Sequence, residues 1–466
     1  MKKLLFVIML LTLTGCSQVK TNEDYLTNGQ NYLANYEYDE ALFEFQKGIE
    51  NDPTNYGYYL ASADIYLKKG QTDRGIQVLN DSYGISPHEK TANALGEVYL
   101  NDGDLVLATQ WFDKAIETNP SHLPALIGKA KISALTGTNE QTTEFVMSLK
   151  EEDLNSTLLL MQAIVSIDDT NKASQLILKS TSVDNDNQEL AKELRMVLTA
   201  YEQDNNLHNL SNIVYTLLNH GWFAFAQVPL NSVIKENQFY ETSYVYQGLI
   251  NLYTNRLDLA KENFVKTQEL NPNNIDSRIF LIQTEFLRED SQSATNIFEE
   301  VYTKFSAELN LQQFVTLVDI LHKNNQRELV EKVYLLSIDR FEVPVEQKIK
   351  YYEALVEMGK YEQADAFFND NLSKSTDLTK PEISRVGSLR AYCLFNLNKR
   401  QEGLDEIKNA EEADNSVAVV YYYKGKILFE NSDPVQARVA LDRSIELDLD
   451  GETSSKAQEF IEANEL

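Results

Sequence analysis

Cysteine is almost missing from this chain: 466 residues contain two, Cys16 and Cys393. Cys393 lies in the apolar segment AYCLF and reads as a buried, inert thiol. The five histidines (His88, His122, His208, His220, His322) are scattered, with no two at metal-ligand spacing. Basic residues are also short, 42 against 71 acids, for a formal net charge of −29. That balance excludes nucleic acid, whose phosphates need clustered Lys and Arg, and it repels an anionic lipid surface. No G-x-S-x-G, G-x-x-x-x-G-K-[ST], H-E-x-x-H or paired-cysteine motif occurs, so no enzyme, metal or cofactor is expected. The abundant carboxylates read as solvated helix faces.

What is present begins at the first residues. Lys2 and Lys3 precede an apolar stretch, Leu4 to Leu13, and then Thr14, Gly15 and Cys16. Ten residues as a helix span ~15 Å, half of a bilayer core, so the stretch fits a secretory signal and not a membrane span. The sequence Leu13-Thr14-Gly15-Cys16 resembles the lipobox of bacterial lipoproteins. The resemblance implies that Leu13, Thr14 and Gly15 are read by the signal peptidase, that residues 1–15 are cleaved, and that Cys16 carries diacylglycerol. Two or three acyl chains on one residue anchor more firmly than the marginal single chain. With Cys16 used by the lipid, Cys393 has no partner for an intramolecular disulfide, and stability is expected from packing alone. The expected location is extracytoplasmic, lipid-anchored to the bacterial cell membrane, and on the outer membrane where there are two. Loss of Lys2 and Lys3 would make the mature chain still more acidic, so only the acyl group should touch the bilayer.

A second pattern fills the rest. Pro53, Pro87 and Pro120 are 34 and 33 residues apart, within ENDP, GISP and ETNP, and ELNP ends at Pro272. Proline stops a helix, so a breaker at this period marks a helical repeat. Residues 89–120 contain Leu95-Gly96, Tyr99, Ala108, Phe112, Ala115 and Pro120. The same offsets hold Gly29, Tyr32, Ala41, Phe45, Gly48 and Pro53, and later Tyr244, Gly248, Ala260, Phe264 and Pro272. Here the chain resembles the tetratricopeptide repeat family. The resemblance implies an all-α fold: a right-handed solenoid of antiparallel helix pairs, with small residues where helices approach and aromatics between neighbours. Units are expected to start near 22, 56, 89, 123 and 156, and again near 207, 241, 275, 311, 345, 384 and 418. Those near 123, 156 and 311 are degenerate. Sixteen extra residues before 207 match one helix, NQELAKELRMVLTAYEQ, with apolar residues at helical spacing. The expected divisions are a 16–21 tether, a 22–183 repeat block, a 184–206 linking helix, a 207–451 block and a 452–466 capping helix.

The family's concave groove holds peptides. Carried over by offset, its lining includes Leu60, Asp64, Lys90, Asn93, Glu97, Tyr422 and Lys426. A carboxyl-terminus clamp known in the family would use the positions of Gln30, Ala61, Lys90 and Ala94, of which only the lysine fits. Trp111 and Trp222 read as packing residues. The expected function is a membrane-anchored scaffold that binds another protein of the envelope, in assembly, secretion or cell-wall enzyme control. The alternative is a surface lipoprotein that captures a glycan or other soluble ligand, although such platforms favour more tryptophan than two.

Overall fold

The computed structural model describes residues 22–149, 155–200, 205–376, 378–448 and 451–466. The lipobox residues Leu13, Thr14, Gly15 and Cys16 lie outside the described residues. Among the described residues there are 26 α-helices and no strand. The first five pairs are α1 (Asn22–Ala34) with α2 (Tyr38–Asn51), α3 (Tyr56–Lys68) with α4 (Thr72–Ile85), α5 (Glu89–Asn101) with α6 (Leu105–Thr118), α7 (Leu123–Thr136) with α8 (Asn139–Ser148), and α9 (Ser156–Ile164) with α10 (Thr170–Ser180). A single helix follows, α11 (Gln188–Thr199). Four pairs come next: α12 (Asn206–Asn219) with α13 (Phe223–Glu236), α14 (Glu241–Tyr253) with α15 (Leu257–Leu270), α16 (Ile275–Leu287) with α17 (Ser291–Glu300), and α18 (Leu311–Lys323) with α19 (Arg327–Ser337). The last three are α20 (Val345–Glu357) with α21 (Tyr361–Phe367), α22 (Lys380–Asn396) with α23 (Arg400–Ala413), and α24 (Ala418–Glu430) with α25 (Pro434–Leu447). The chain ends in α26 (Glu452–Ala463).

The protein is therefore an all-α solenoid of tetratricopeptide-type helix pairs. Its turns have a repeated chemistry. In ten of the twelve pairs the loop holds one residue in the left-handed region, such as Gly70 (φ 65°) or Asn255 (φ 54°). That conformation ends a helix by letting the next amide turn back to an orphan carbonyl, and Gly and Asn adopt it at least cost. Tyr36, Glu289 and Ser432 hold it without that advantage. The two exceptions are the pairs α7/α8 and α9/α10, the degenerate units near 123 and 156. At α8 a capping box of Thr138 and Gln141 starts the helix instead. The unit expected near 384 begins at Lys380, because Thr379 and Glu382 form a capping box there and add a turn to α22.

Packing follows the small and large offsets. The Phe112 ring is fully buried (0% exposed) between Gly96 and Gly128, and a methyl added at either glycine would overlap it. Phe45 lies against Gly29 and Phe264 against Gly248 in the same way. α11 packs between α10 and α12 and buries Leu190, Ala191, Leu194 and Leu198, so it continues the core across the joint. Cys393 is fully buried (0%), its Sγ 3.2 Å from the Tyr361 carbonyl oxygen, and burial pushes the thiol pKa up to about 12. Thiolate is the reactive form, so the native protein should resist maleimide and label at Cys393 only once urea unfolds it. Labelling at the same rate without denaturant would contradict this burial.

The solenoid also folds back on itself. α13 packs against α7 and α9 as well as its own partner. A polar chain crosses the contact: Asn139 Nδ2 donates to the Val228 carbonyl at 2.9 Å, and Asn231 Nδ2 donates to Asn139 Oδ1 at 2.9 Å. Gln227 continues it, donating to Asn231 at 2.7 Å and to Gln247 at 2.8 Å. The Asn255 turn meets the turn after α5, where Asn255 Nδ2 donates to the Asp102 carbonyl at 3.2 Å.

Candidate protein-binding groove

The first helices of successive pairs lie side by side, α3 on α5 and α5 on α7, and form one wall. Along it the groove residues carried over from the family occupy distinct settings. Leu60 is half-buried and packs on the cluster of Ala63, Leu79 and Leu95. Asp64 is exposed and pairs with Lys68 at 2.8 Å. Lys90 is exposed, with its ammonium 5.6 Å from the Tyr56 ring centre, and His88 stacks on that ring at 3.7 Å. Among the described residues no carboxylate lies within ion-pair distance of Lys90. Asn93 is half-buried, and its Oδ1 is buried, with no donor among the described residues. Glu97 lies 3.9 Å from Lys131 of the next unit.

Where α13 folds against α7, the groove deepens into a cleft of about 410 Å³. Its first wall carries Asn101, Lys131, Leu135 and Met161, from the first helices of three units. The opposite wall is the turn into α13, His220 to Phe225, with Tyr253. Phe223 and Tyr253 stack at 4.6 Å, and Trp222 stands edge-on to Phe225 at 6.1 Å. His220 Nε2 is 3.0 Å from a Glu193 oxygen, which ties the turn to α11. Trp222 thus differs from the sequence expectation: it lines a cleft besides packing. Trp111 is a packing residue, edge-on to Tyr83 at 5.2 Å. Only long-range folding brings residue 222 beside residue 131, so no local spacing could have shown the cleft.

The groove residues assigned to the last unit require a correction. Tyr422 is buried, and Lys426 is enclosed by rings, 4.3 Å from Tyr392, 5.3 Å from Tyr422 and 5.9 Å from Phe460 of α26. Burial lowers the Lys426 pKa, which the nearby Glu430 and Glu357 partly offset. These two residues face the inside of a closed region and not an open groove. The structure therefore separates Leu60, Asp64, Lys90, Asn93 and Glu97 from Tyr422 and Lys426. Among the described residues no group of three metal-ligating side chains occurs, and no helix is long and apolar enough to cross a membrane.

One solved structure similar to this chain is the APC/C hetero-tetramer Cut9–Hcn1, at 14% identity and TM-score 0.37, covering 95% of this chain and 96% of that chain. Another is a tetratricopeptide repeat protein from Parabacteroides merdae ATCC 43184, at 14% identity and TM-score 0.41, covering 56% of this chain and 100% of that one. Residues 44–77, from within α2 to within α4, match the tetratricopeptide repeat family.

Proposed function

We propose that this protein is a lipid-anchored scaffold of the bacterial envelope that binds a segment of another protein along the groove of α3, α5 and α7. The observation that carries the reading is Lys90, an exposed cation with no carboxylate at ion-pair distance among the described residues, in the groove of a chain with 71 acids. Asp64 and Glu97 each have a lysine beside them, so they are partly neutralised. The segment that suits this wall has a carboxylate for Lys90 and a large apolar side chain for the cleft of Trp222, Phe223 and Tyr253. An aromatic pocket beside a charged groove is the arrangement from which peptide ligands draw most of their affinity. Anchoring through Cys16 would confine the partner to a layer at the membrane and raise its effective concentration.

Crosslinking in intact cells with mass spectrometry tests the scaffold. Lys90→Glu should reduce capture of the dominant partner at least tenfold, about 1.4 kcal/mol, without changing the melting temperature. Reversing Asp64 and Glu97 together adds cations beside Lys90 and should tighten capture of that carboxylate. Unchanged capture in all of these variants would show that the partner sits elsewhere. The anchor is tested separately with an alkynyl fatty acid: Cys16→Ala should lose the label, and persistent labelling would rule out lipidation at that residue. The aromatic cleft also favours a second reading, capture of a soluble sugar. An oligosaccharide that raises the melting temperature of the wild type but not of Trp222→Ala would select it.

A further inference from the structure

We infer that α26 is an ionic clasp across the groove of the last four repeats, and that a partner helix with the same charge order opens it by taking its place. α26 packs on α24 and α25 in the position of a next unit's first helix. Its charged side chains go further. Glu452 pairs with Arg327, at the start of α19, and Lys456 pairs with Glu357, at the end of α20. Those contacts span 125 and 99 residues of sequence. Lys456 is also 2.5 Å from Glu452 and 3.9 Å from Glu353. The groove thus presents an Arg327–Glu357 ion pair with Glu353 nearby, and α26 adds an acid to the guanidinium and a lysine to the carboxylates, one helical turn apart.

The apolar hold is small by comparison. α26 buries Ser454, Ala457 and Ile461, whereas α24 buries Val419, Val420, Tyr422, Tyr423 and Ile427. Phe460 adds an edge contact to Phe429 at 5.5 Å. Ion pairs that leave water return little net stability, yet leaving one partner bare is costly. Arg327 and Glu357 stay paired with each other when α26 leaves. A helix that brings the same two charges therefore restores the four-charge network, a neutral helix forfeits it, and one with the order reversed sets like charges together. Among the described residues the fully buried Tyr423 hydroxyl, within the field of Glu357, Glu353 and Arg327, has no hydrogen-bond partner. The occupant so defined is an amphipathic helix with an acid, a lysine four residues on and an aromatic four beyond that, the order of Glu452, Lys456 and Phe460.

This inference rests on the reading that the protein binds other proteins, but its test needs no partner. A fluorescent peptide of residues 451–466 is titrated into the full chain and into the double variant Glu452→Lys, Lys456→Glu, which repels its own clasp. At least tenfold tighter binding to the double variant, and none by a peptide with the same two charges reversed, is the expected result. Equal affinity for both proteins, or no binding to either, overturns the inference. Should the variant misfold, hydrogen exchange on the wild type decides: saturating peptide should speed exchange in α26 and leave α24 unchanged. No effect on α26 overturns the clasp, while absence of any crosslinked partner in cells would count only against the scaffold.

Discussion

Phe112→Ala should destabilise the amino-terminal repeats by about 3–5 kcal/mol, because truncating a buried ring loses its transfer energy and leaves a cavity. The ring is fully buried, and it fills the space that Gly96 and Gly128 leave open on either side. Neighbouring backbones cannot close such a gap without shifting whole helices, so little of the cost is recovered. In a solenoid each unit contacts its neighbours, and the loss should appear first as local opening of α5, α6 and α7. Hydrogen exchange together with urea titration reads both the size and the place. The complementary change, Gly128→Val, forces a branched side chain into the same ring and should also destabilise, by about 1–3 kcal/mol. If Phe112→Ala lost less than about 1 kcal/mol, or opened the last repeats instead, this account of the packing would be wrong.

Glu353→Ala should be comparably damaging at the other end, about 3–5 kcal/mol, because it removes the carboxylate at the centre of a buried charge network. Arg385 donates to Glu353 Oε2 from Nε at 3.1 Å and from Nη2 at 2.5 Å, and Arg385 also reaches Glu346 at 3.1 Å. His322 Nε2 is 3.4 Å from the same oxygen, and Lys456 approaches the other. Burial alone would raise the Glu353 carboxyl, but Arg385, His322 and Lys456 outweigh it and hold it well below the usual carboxylate range. A depressed folded-state pKa adds stability above the unfolded value, about 4.3 for Glu. That contribution is lost as pH falls from about 4.3 through the lower folded value. Urea titrations at descending pH should show the last repeats weakening over that window in the wild type. Glu353→Gln should be weaker at neutral pH and lose less on acidification. Parallel acid loss in both proteins would mean that Glu353 does not carry the dependence.

Much of this was legible in the residues. The 34-residue spacing, the Gly and Phe offsets and the proline stops are relations within a unit or between neighbouring units. Short-range contacts of that kind leave a periodic mark, which is why Gly29 and Phe45, or Gly248 and Phe264, can be matched from their offsets alone. A second local signal lies in the turns: Gly70, Gly103, Asn255, Asn325 and Gly359 occupy equivalent positions, and all hold a positive φ. The open groove at Asp64, Lys90 and Glu97 follows from the same register. Tyr422 and Lys426 share it too, yet they are closed over, because α26 brings Phe460 to them from more than thirty residues away.

Residue order alone specifies the unit: two antiparallel helices, glycine where they approach and an aromatic ring where units meet. How the units travel together is a property of the folded chain. Each adds a small rotation set by side-chain volumes, and after several units those rotations accumulate into a path no single repeat encodes. That path lays α13 against α7, which makes the cleft at Trp222, and carries Arg327 to Glu452. These contacts join residues far apart in the chain, at separations unrelated to the repeat, so they leave no periodic trace to read.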